Sequence, residues 1–248
     1  MNFKDKVVLV TGSSRGIGRS TIEEFASLGA NVIINYVNNE DMALELKNEV
    51  ISKYGVDALV VKCDVSKEEE VKDMVNTIIS HFGKIDILVN NAAISMDDVI
   101  DNKTSGDFMR VIGVNLLGPF LTSKYIGRIM FNQKSGKIIN ITSTNGIDTH
   151  YKESMDYDAS KAGLISLTHN LALEFSPYVN VNAIAAGWVN TDVNKDLEPN
   201  FRDEQTSKIL LNRFAESKEI AKTVVFLASD NASYINSSII RVDGGYKG

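Results

Sequence analysis

The stretch Lys6–Gly18 constrains this chain more than any other. Lys6-Val-Val-Leu-Val-Thr11 is an apolar run of strand length, and Gly12-Ser-Ser-Arg-Gly-Ile-Gly18 follows it with no spacer. Ile22, Phe25, Ala26 and Leu28 then fall on one side of a helical pattern. Strand, glycine turn and helix in direct succession can hold the pyrophosphate of a dinucleotide. Backbone N–H groups approach the phosphate oxygens, and the helix N-terminus favours their charge. The glycine spacing is G-x-x-x-G-x-G rather than G-x-G-x-x-G. For the triplet alone, a tight strand-to-helix turn without a ligand is the alternative.

The same alternation continues to the C-terminus. Apolar strand-length runs recur at Asn31–Tyr36, Ala58–Cys63, Ile85–Asn90, Lys137–Thr142, Asn180–Ala185 and Ser238–Val242. Helical patterns separate them over 38–54, 66–82, 107–132, 158–175 and 219–227. Gly55 is placed to stop the second helix. Ser66 is expected to cap the third, with Glu69 as its capping-box partner. Pro119 should bend or loosen the long helix over 107–132. These units predict a three-layer, doubly wound α/β fold with a mostly or wholly parallel sheet of about seven strands. No linker, repeat or low-complexity tract divides the chain, so a single domain over residues 1–248 is expected. The polar segment 190–213 reads as a cover over a site, with a solvent-exposed excursion as the alternative. Ligands of such sheets bind beyond the C-terminal strand ends, where Thr11, Asn35, Asp64, Asn90, Ser143 and residues 182–187 gather.

Several function classes recede. The net charge of −6 disfavours a broad nucleic-acid or acidic-membrane surface. Cys63 is the only cysteine, sits in a strand pattern, and reads as buried and inert; the chain can form no internal disulfide. The N-terminus lacks the apolar core of a signal peptide and no run has transmembrane length, so a cytoplasmic setting is expected. His81, His150 and His169 make no metal-binding spacing, and no metal is expected. Ser143 lacks a G-x-S-x-G elbow, and the glycine turn lacks the Gly-Lys-Ser/Thr ending of a triphosphate loop.

Tyr157 and Lys161 stand four apart at the start of a helix, so they share a face. An ammonium near a phenol favours the phenolate and is expected to lower the Tyr157 pKa. The phenol could then exchange a proton with a developing alkoxide, and Ser143 could hydrogen-bond the same oxygen. For the bare pair, an exposed Tyr–Lys helix pair is the alternative.

Thr11-Gly-Ser-Ser-Arg-Gly-Ile-Gly18, Asp64-Val65, Asn90-Asn-Ala92, Asn115, Ser143, Tyr157-Asp-Ala-Ser-Lys161, Gly187 with Thr191, and Asp243-Gly-Gly245 together resemble the short-chain dehydrogenase/reductase family, over essentially the whole chain. The resemblance implies a Rossmann-type domain and hydride transfer with a nicotinamide cofactor. It implies a catalytic tetrad of Asn115, Ser143, Tyr157 and Lys161. Tyr157 would be the general acid or base, and Ser143 would orient the substrate oxygen. Lys161 would lower the Tyr157 pKa and hold the nicotinamide ribose, and Asn115 would anchor a relay water. It assigns cofactor contacts to Gly12, Ser14, Arg15, Gly16, Ile17, Gly18, Asn35, Tyr36, Asp64, Val65, Asn91, Ala92, Tyr157, Lys161, Gly187, Val189 and Thr191. The second strand ends Ile34-Asn-Tyr-Val-Asn38, with no acid until Glu40 to chelate an adenosine ribose. Arg15 could pair with a 2′-phosphate, which favours NADP(H) over NAD(H); a solvated turn residue is the alternative. The chain departs from the family pattern at Ala93 and Ala186, where Gly and Pro are usual. The gap from Ser143 to Tyr157 is fourteen residues, one more than in many bacterial members.

Gly83–Asn91 and Val181–Ala185 most resemble bacterial 3-oxoacyl-[acyl-carrier-protein] reductases. That implies reduction of a 3-oxoacyl thioester to a 3-hydroxyacyl thioester, with an acyl carrier protein as a possible partner. Lys134 matches one basic docking position, whereas the other falls near Pro177 or Tyr178, neither basic. Sugar, steroid or small secondary-alcohol dehydrogenases are the alternatives, and a nucleotide-binding homologue without turnover is another. His150, Tyr151, Met155 and Trp188 are candidate lining residues. The resemblance also implies a homotetramer, with Tyr246-Lys-Gly248 near a subunit contact.

Overall fold

Every residue of β1 (Val7–Val10) is buried, because helices lie on both of its faces. Val8 and Val10 point into one apolar layer and Val7 and Leu9 into the other. The computed structural model describes residues 1–247; Gly248, part of the expected subunit contact, lies outside them. Six more strands complete the sheet: β2 (Asn31–Tyr36), β3 (Ala58–Lys62), β4 (Ile87–Asn90), β5 (Gly136–Ser143), β6 (Val179–Ala186) and, last in the chain, β9 (Ile239–Val242). The order is β3-β2-β1-β4-β5-β6-β9, and every pairing is parallel. This is the expected three-layer Rossmann-type architecture. The two-residue strands β7 (Val189–Asn190) and β8 (Ala215–Glu216) pair separately.

One layer is α1 (Gly16–Ser27), α2 (Glu40–Tyr54) and α8 (Ser217–Ala228), which bury Phe25, Leu46 and Val224. The other is α3 (Glu68–Phe82), α5 (Gly118–Asn132) and α6 (Met155–Phe175), which bury Met74, Ile126 and Phe175. Truncating a fully buried side chain such as Phe25 to alanine should cost about 3–5 kcal/mol. The short helices α4 (Ser105–Ile112) and α7 (Pro199–Ser207) lie outside these packed faces. Between the layers, Asn90 Nδ2 donates to Asn140 Oδ1 at 2.8 Å, and Asn140 Nδ2 donates to Thr168 Oγ1 at 2.9 Å. This buried polar chain ties β4 to β5 and α6, because each unpaired member would carry a desolvation cost. Among the described residues, no helix is long and apolar enough to cross a membrane.

Three local expectations are corrected. Ser66 does not cap α3: Asp64 Oδ1 accepts both its hydroxyl and its backbone N–H, and the helix begins at Glu68 without a side-chain cap. The helix over 107–132 is broken before Pro119, where Gly113–Leu117 forms a π turn between α4 and α5. Pro119 itself starts α5 comfortably, as the ring suits a first turn. Ser143 is the last residue of β5 rather than one past its end. Gly55 does end α2, with φ 68°.

Candidate active site

Chain order runs outward from β1 to β3 and then returns to β4 on the other side of β1, so the strand order reverses between β1 and β4. Crevices open at the carboxyl ends of strands at such reversals. There Gly12 has φ 60°, and a Cβ on it would meet Ala92 Cα at 2.9 Å. Any other residue would be strained and would push the two turns apart. Asn91 Nδ2 locks the approach by donating to the carbonyls of Thr11 and Gly12 at 2.9 and 3.0 Å. Thr11 Oγ1 accepts the backbone N–H groups of Asn91 and Ala92, each at 3.0 Å.

The residues at this edge fit a dinucleotide phosphate. Arg15 is the N-cap of α1 but makes no side-chain cap, and the first turn holds no acid. The backbone donors that open this helix therefore keep their charge preference for an anion. Gly16 and Thr191 border a cleft of about 600 Å³ between the start of α1 and the segment after β7. Ser14, Gly18, Val65 and Val189 are buried around the turn, Ile17 is half-buried, and Gly187 N–H donates to the Val242 carbonyl at 3.1 Å.

Asn35 is oriented differently from a cofactor ligand. Its Oδ1 accepts Gly12 N–H at 2.9 Å and its Nδ2 donates to the carbonyls of Val61 and Cys63 at 3.3 and 3.0 Å. With 1% exposure, it braces the glycine turn from behind. Tyr36 is buried beside it, and burial, with Glu40 nearby, raises its phenol pKa. Asp64 spends Oδ1 on Ser66 and holds Glu70 through its N–H. Arg15 is exposed. Ala93 is exposed too. Ala186 keeps a regular place in β6 opposite Ser143.

Ser143, Tyr157 and Lys161 meet past the carboxyl end of β5. Lys161 Nζ lies 5.3 Å from the Tyr157 ring centre and donates to the Ile141 carbonyl at 3.0 Å. Burial pulls Lys161 down to about 8. Burial likewise pushes the Tyr157 phenol up to about 12; Ser143 hydrogen bonding opposes this, and the charges of Asp158 and Asp97 add to it. The Tyr157 phenol is thus raised rather than lowered in these surroundings, with desolvation of the phenolate the largest cause. Asn115 is fully buried in the π turn. Its Oδ1 accepts Ile94 N–H at 2.9 Å, and its Nδ2 donates to the Ile94 carbonyl and Ser160 Oγ at 2.9 and 3.1 Å. Both amide hydrogens are spent, so the side chain ties the loop after β4 to α6. Four residues on, Pro119 has no N–H to return to the Asn115 carbonyl.

The candidate lining residues divide. Tyr151 and Trp188 belong to an aromatic cluster with Phe201 and Phe214, in which Trp188 stacks on Phe214 at 5.4 Å. Gln205 Oε1, on α7, accepts the hydroxyls of Tyr151 and Tyr246 at 2.9 and 2.5 Å. Sequence periodicity carried no sign of this cluster, since its members come from four separate segments. His150 is largely exposed, 3.9 Å from the Asp158 carboxylate, and Met155 is half-buried at the start of α6. Cys63 is buried and its thiol is pushed up to about 12 by that burial, which makes it inert.

Fold and edge define a nucleotide-binding α/β domain of the doubly wound kind. A family model described as enoyl-(acyl carrier protein) reductase matches residues 12–247. The chain is 40% identical over 242 residues to the 3-oxoacyl-[acyl-carrier-protein] reductase FabG of Staphylococcus epidermidis, covering 97% of this chain and 98% of that one. It is 39% identical to the FabG of Aquifex aeolicus over 99% of this chain and 98% of that one. Among solved structures it is similar to levodione reductase, with TM-score 0.92, 31% identity and 98% of each chain covered. It is also similar to a putative gluconate dehydrogenase from Agrobacterium tumefaciens, with TM-score 0.94, 32% identity, and 98% and 96% covered. The chain belongs to the short-chain dehydrogenase/reductase family and is an NAD(P)-dependent oxidoreductase. The non-enzymatic alternative falls with that membership.

Proposed function

We propose that this enzyme uses NADP(H) to reduce a 3-oxoacyl thioester to the 3-hydroxyacyl thioester. The observation that carries the reading is the meeting of Tyr157, Lys161 and Ser143 at the carboxyl edge of β5, in a chain 40% identical to a 3-oxoacyl-[acyl-carrier-protein] reductase. The nicotinamide, when bound, supplies the hydride. Tyr157, protonated at neutral pH as an ordinary phenol is and raised further by desolvation, gives its proton to the substrate oxygen as a general acid. Ser143 hydrogen-bonds the same oxygen and fixes its orientation. Lys161 holds the nicotinamide ribose and supplies positive charge beside the phenol as the proton leaves. Asn115 contributes to the relay through its main-chain carbonyl, to which Pro119 cannot donate; its side chain is committed to Ile94 and Ser160.

The NADP(H) preference rests on exposed Arg15 beside the glycine turn and on β2 ending with no acid until Glu40, the first residue of α2. Gly12, Ser14, Gly16, Ile17 and Gly18 form the phosphate cradle, with Asp64, Val65, Ala92, Gly187, Val189 and Thr191 around it. Asn35 and Asn91 serve by holding that cradle in shape. The segment 190–213, anchored by the Tyr151–Gln205–Tyr246 cluster, covers the substrate.

A carrier protein is a candidate partner. Lys134 is exposed in a tight turn with φ 55°. Tyr178, one of the two residues near the second docking position, packs edge-on against Phe131 at 5.2 Å. Exposed Arg128 lies over that Phe131 ring at 5.6 Å and is paired with Glu174 at 2.8 Å, so it offers a guanidinium to this face but no net charge. Homotetramer formation is supported by exposed Leu117 and Phe120 at the start of α5. A second reading, reduction of a cyclic ketone or a sugar-acid ketone, is favoured by the likeness to levodione reductase and the putative gluconate dehydrogenase. The deciding experiment is steady-state turnover of a short 3-oxoacyl thioester, a cyclic diketone and a keto-sugar acid with NADPH. The proposal expects the highest kcat/KM for the thioester; a higher value for either of the others replaces it with the second reading.

A further inference from the structure

Asp158 follows Tyr157 on α6, and its side chain is 12% exposed. The carboxylate accepts Asn145 Nδ2 at 2.7 Å and Tyr151 N–H at 3.2 Å. Asn145 Oδ1 in turn accepts the Ser143 hydroxyl at 3.1 Å, while Asn145 N–H donates to Ser143 Oγ at 3.2 Å. These bonds have one polarity. An ionised carboxylate only accepts, so it draws the Asn145 NH₂ toward itself and turns Oδ1 toward Ser143. Before a ketone binds, that oxygen takes the Ser143 proton, which then turns to the ketone oxygen, while the backbone N–H keeps one Oγ lone pair occupied. The Ser143 hydroxyl is therefore fixed from outside the reacting groups, and a negative charge stands one residue from the phenol.

We propose that Asn145 and Asp158 are positioning residues that orient the Ser143 hydroxyl and hold a fixed negative charge beside Tyr157, and so set the pH range in which the site works. The inference rests on the reading of Tyr157 and Ser143 given under Proposed function. Other charged groups also face this corner. Asp97 adds its charge from the loop after β4, and Lys161 stands one helical turn along α6. His150 lies 3.9 Å from the Asp158 carboxylate, and Asp156 is neutralised by Lys103 at 2.8 Å. Behind burial, Asp158 contributes more to the raised phenol pKa than Asp97 does. Ketone reduction needs the protonated phenol and alcohol oxidation the phenolate. Removing the Asp158 charge therefore moves the Tyr157-controlled limb to lower pH in both directions.

The test compares pH profiles of kcat for wild type, Asp158→Asn, Asp158→Glu and Asn145→Ala, with Tyr157→Phe alongside. The probe is the short 3-oxoacyl thioester, or whichever ketone of the panel turns over. Asp158→Asn should move the limb acidward by about half a pH unit or more, and Asp158→Glu should restore the wild-type midpoint. Asn145→Ala should lower kcat about tenfold with the cofactor KM unchanged; because the substitution lies outside α6, it decides the question even if Asp158→Asn fails to fold. Wild-type profiles and kcat in folded Asp158→Asn and Asn145→Ala would overturn the proposal. If Tyr157→Phe is inactive in that case, only the positioning role falls. A Tyr157→Phe enzyme as active as wild type would instead remove the underlying site reading, and this inference with it.

Discussion

The Lys161 ammonium donates to the Ile141 carbonyl at 3.0 Å, so the strand that ends in Ser143 also holds the lysine from behind. The charge is buried, and burial brings its pKa from 10.5 down to about 8. Between those values the unfolded chain binds the proton and the folded chain does not, so this group makes stability rise with pH across that window. At pH 7 the folded state carries the full cost of the buried charge. Lys161→Met should therefore be more stable than wild type at pH 7 by about 2 kcal/mol, with the difference vanishing toward about pH 10.5, while turnover is lost. Urea denaturation at neutral and alkaline pH checks it; a less stable variant at pH 7 contradicts it.

Lys103 and Asp156 form an ion pair at 2.8 Å with 4% and 0% of their side chains exposed. Asp156 Oδ1 also accepts Tyr157 N–H at 2.9 Å, so the pair ties the loop after β4 to the turn that carries the phenol. Lys103→Met strands a buried carboxylate and should cost about 3–5 kcal/mol, whereas Lys103→Met with Asp156→Leu should cost much less. Denaturation midpoints of the three proteins measure the difference.

Arg15 lies beside the glycine turn and is exposed. Arg15→Ser should raise the KM for NADPH about tenfold and leave that for NADH unchanged, because only the 2′-phosphate loses a partner. Equal effects on both cofactors would assign the arginine to the shared pyrophosphate instead.

Arg128 and Lys134 are the basic side chains proposed for carrier docking. Arg128→Glu with Lys134→Glu should raise the KM for a carrier-bound 3-oxoacyl group at least tenfold, and increasingly so at low salt. The KM for the short free thioester should not move. Steady-state assays with the two substrates separate docking from chemistry.

Much of this fold is legible in the sequence because strands buried on both faces are built from near-continuous apolar runs, as in Val7–Val10 and, up to Val89, in β4. The glycine turn and the Tyr157–Lys161 spacing are local and were equally visible. What escaped depends on distant partners. The π turn at Asn115 is bound up with its contacts to Ile94 and Ser160, which no helical periodicity encodes. Asn35, a polar residue at a strand end, could face a ligand or the chain, and Gly12, Val61 and Cys63 claim it. Ser66 has the residue type of a helix cap but lost its hydroxyl to Asp64. The phenol pKa needed burial as well as sequence: spacing announced the lysine, whereas desolvation decides the direction.

The most direct measurement of the central claim is cofactor-absorbance turnover of the short 3-oxoacyl thioester with NADPH and NADH, for wild type and Tyr157→Phe. The account predicts turnover by the wild-type enzyme, faster with NADPH, and its loss by at least a hundredfold in the mutant, in line with removal of a general acid. A Tyr157→Phe enzyme that reduces the thioester at the wild-type rate would contradict it.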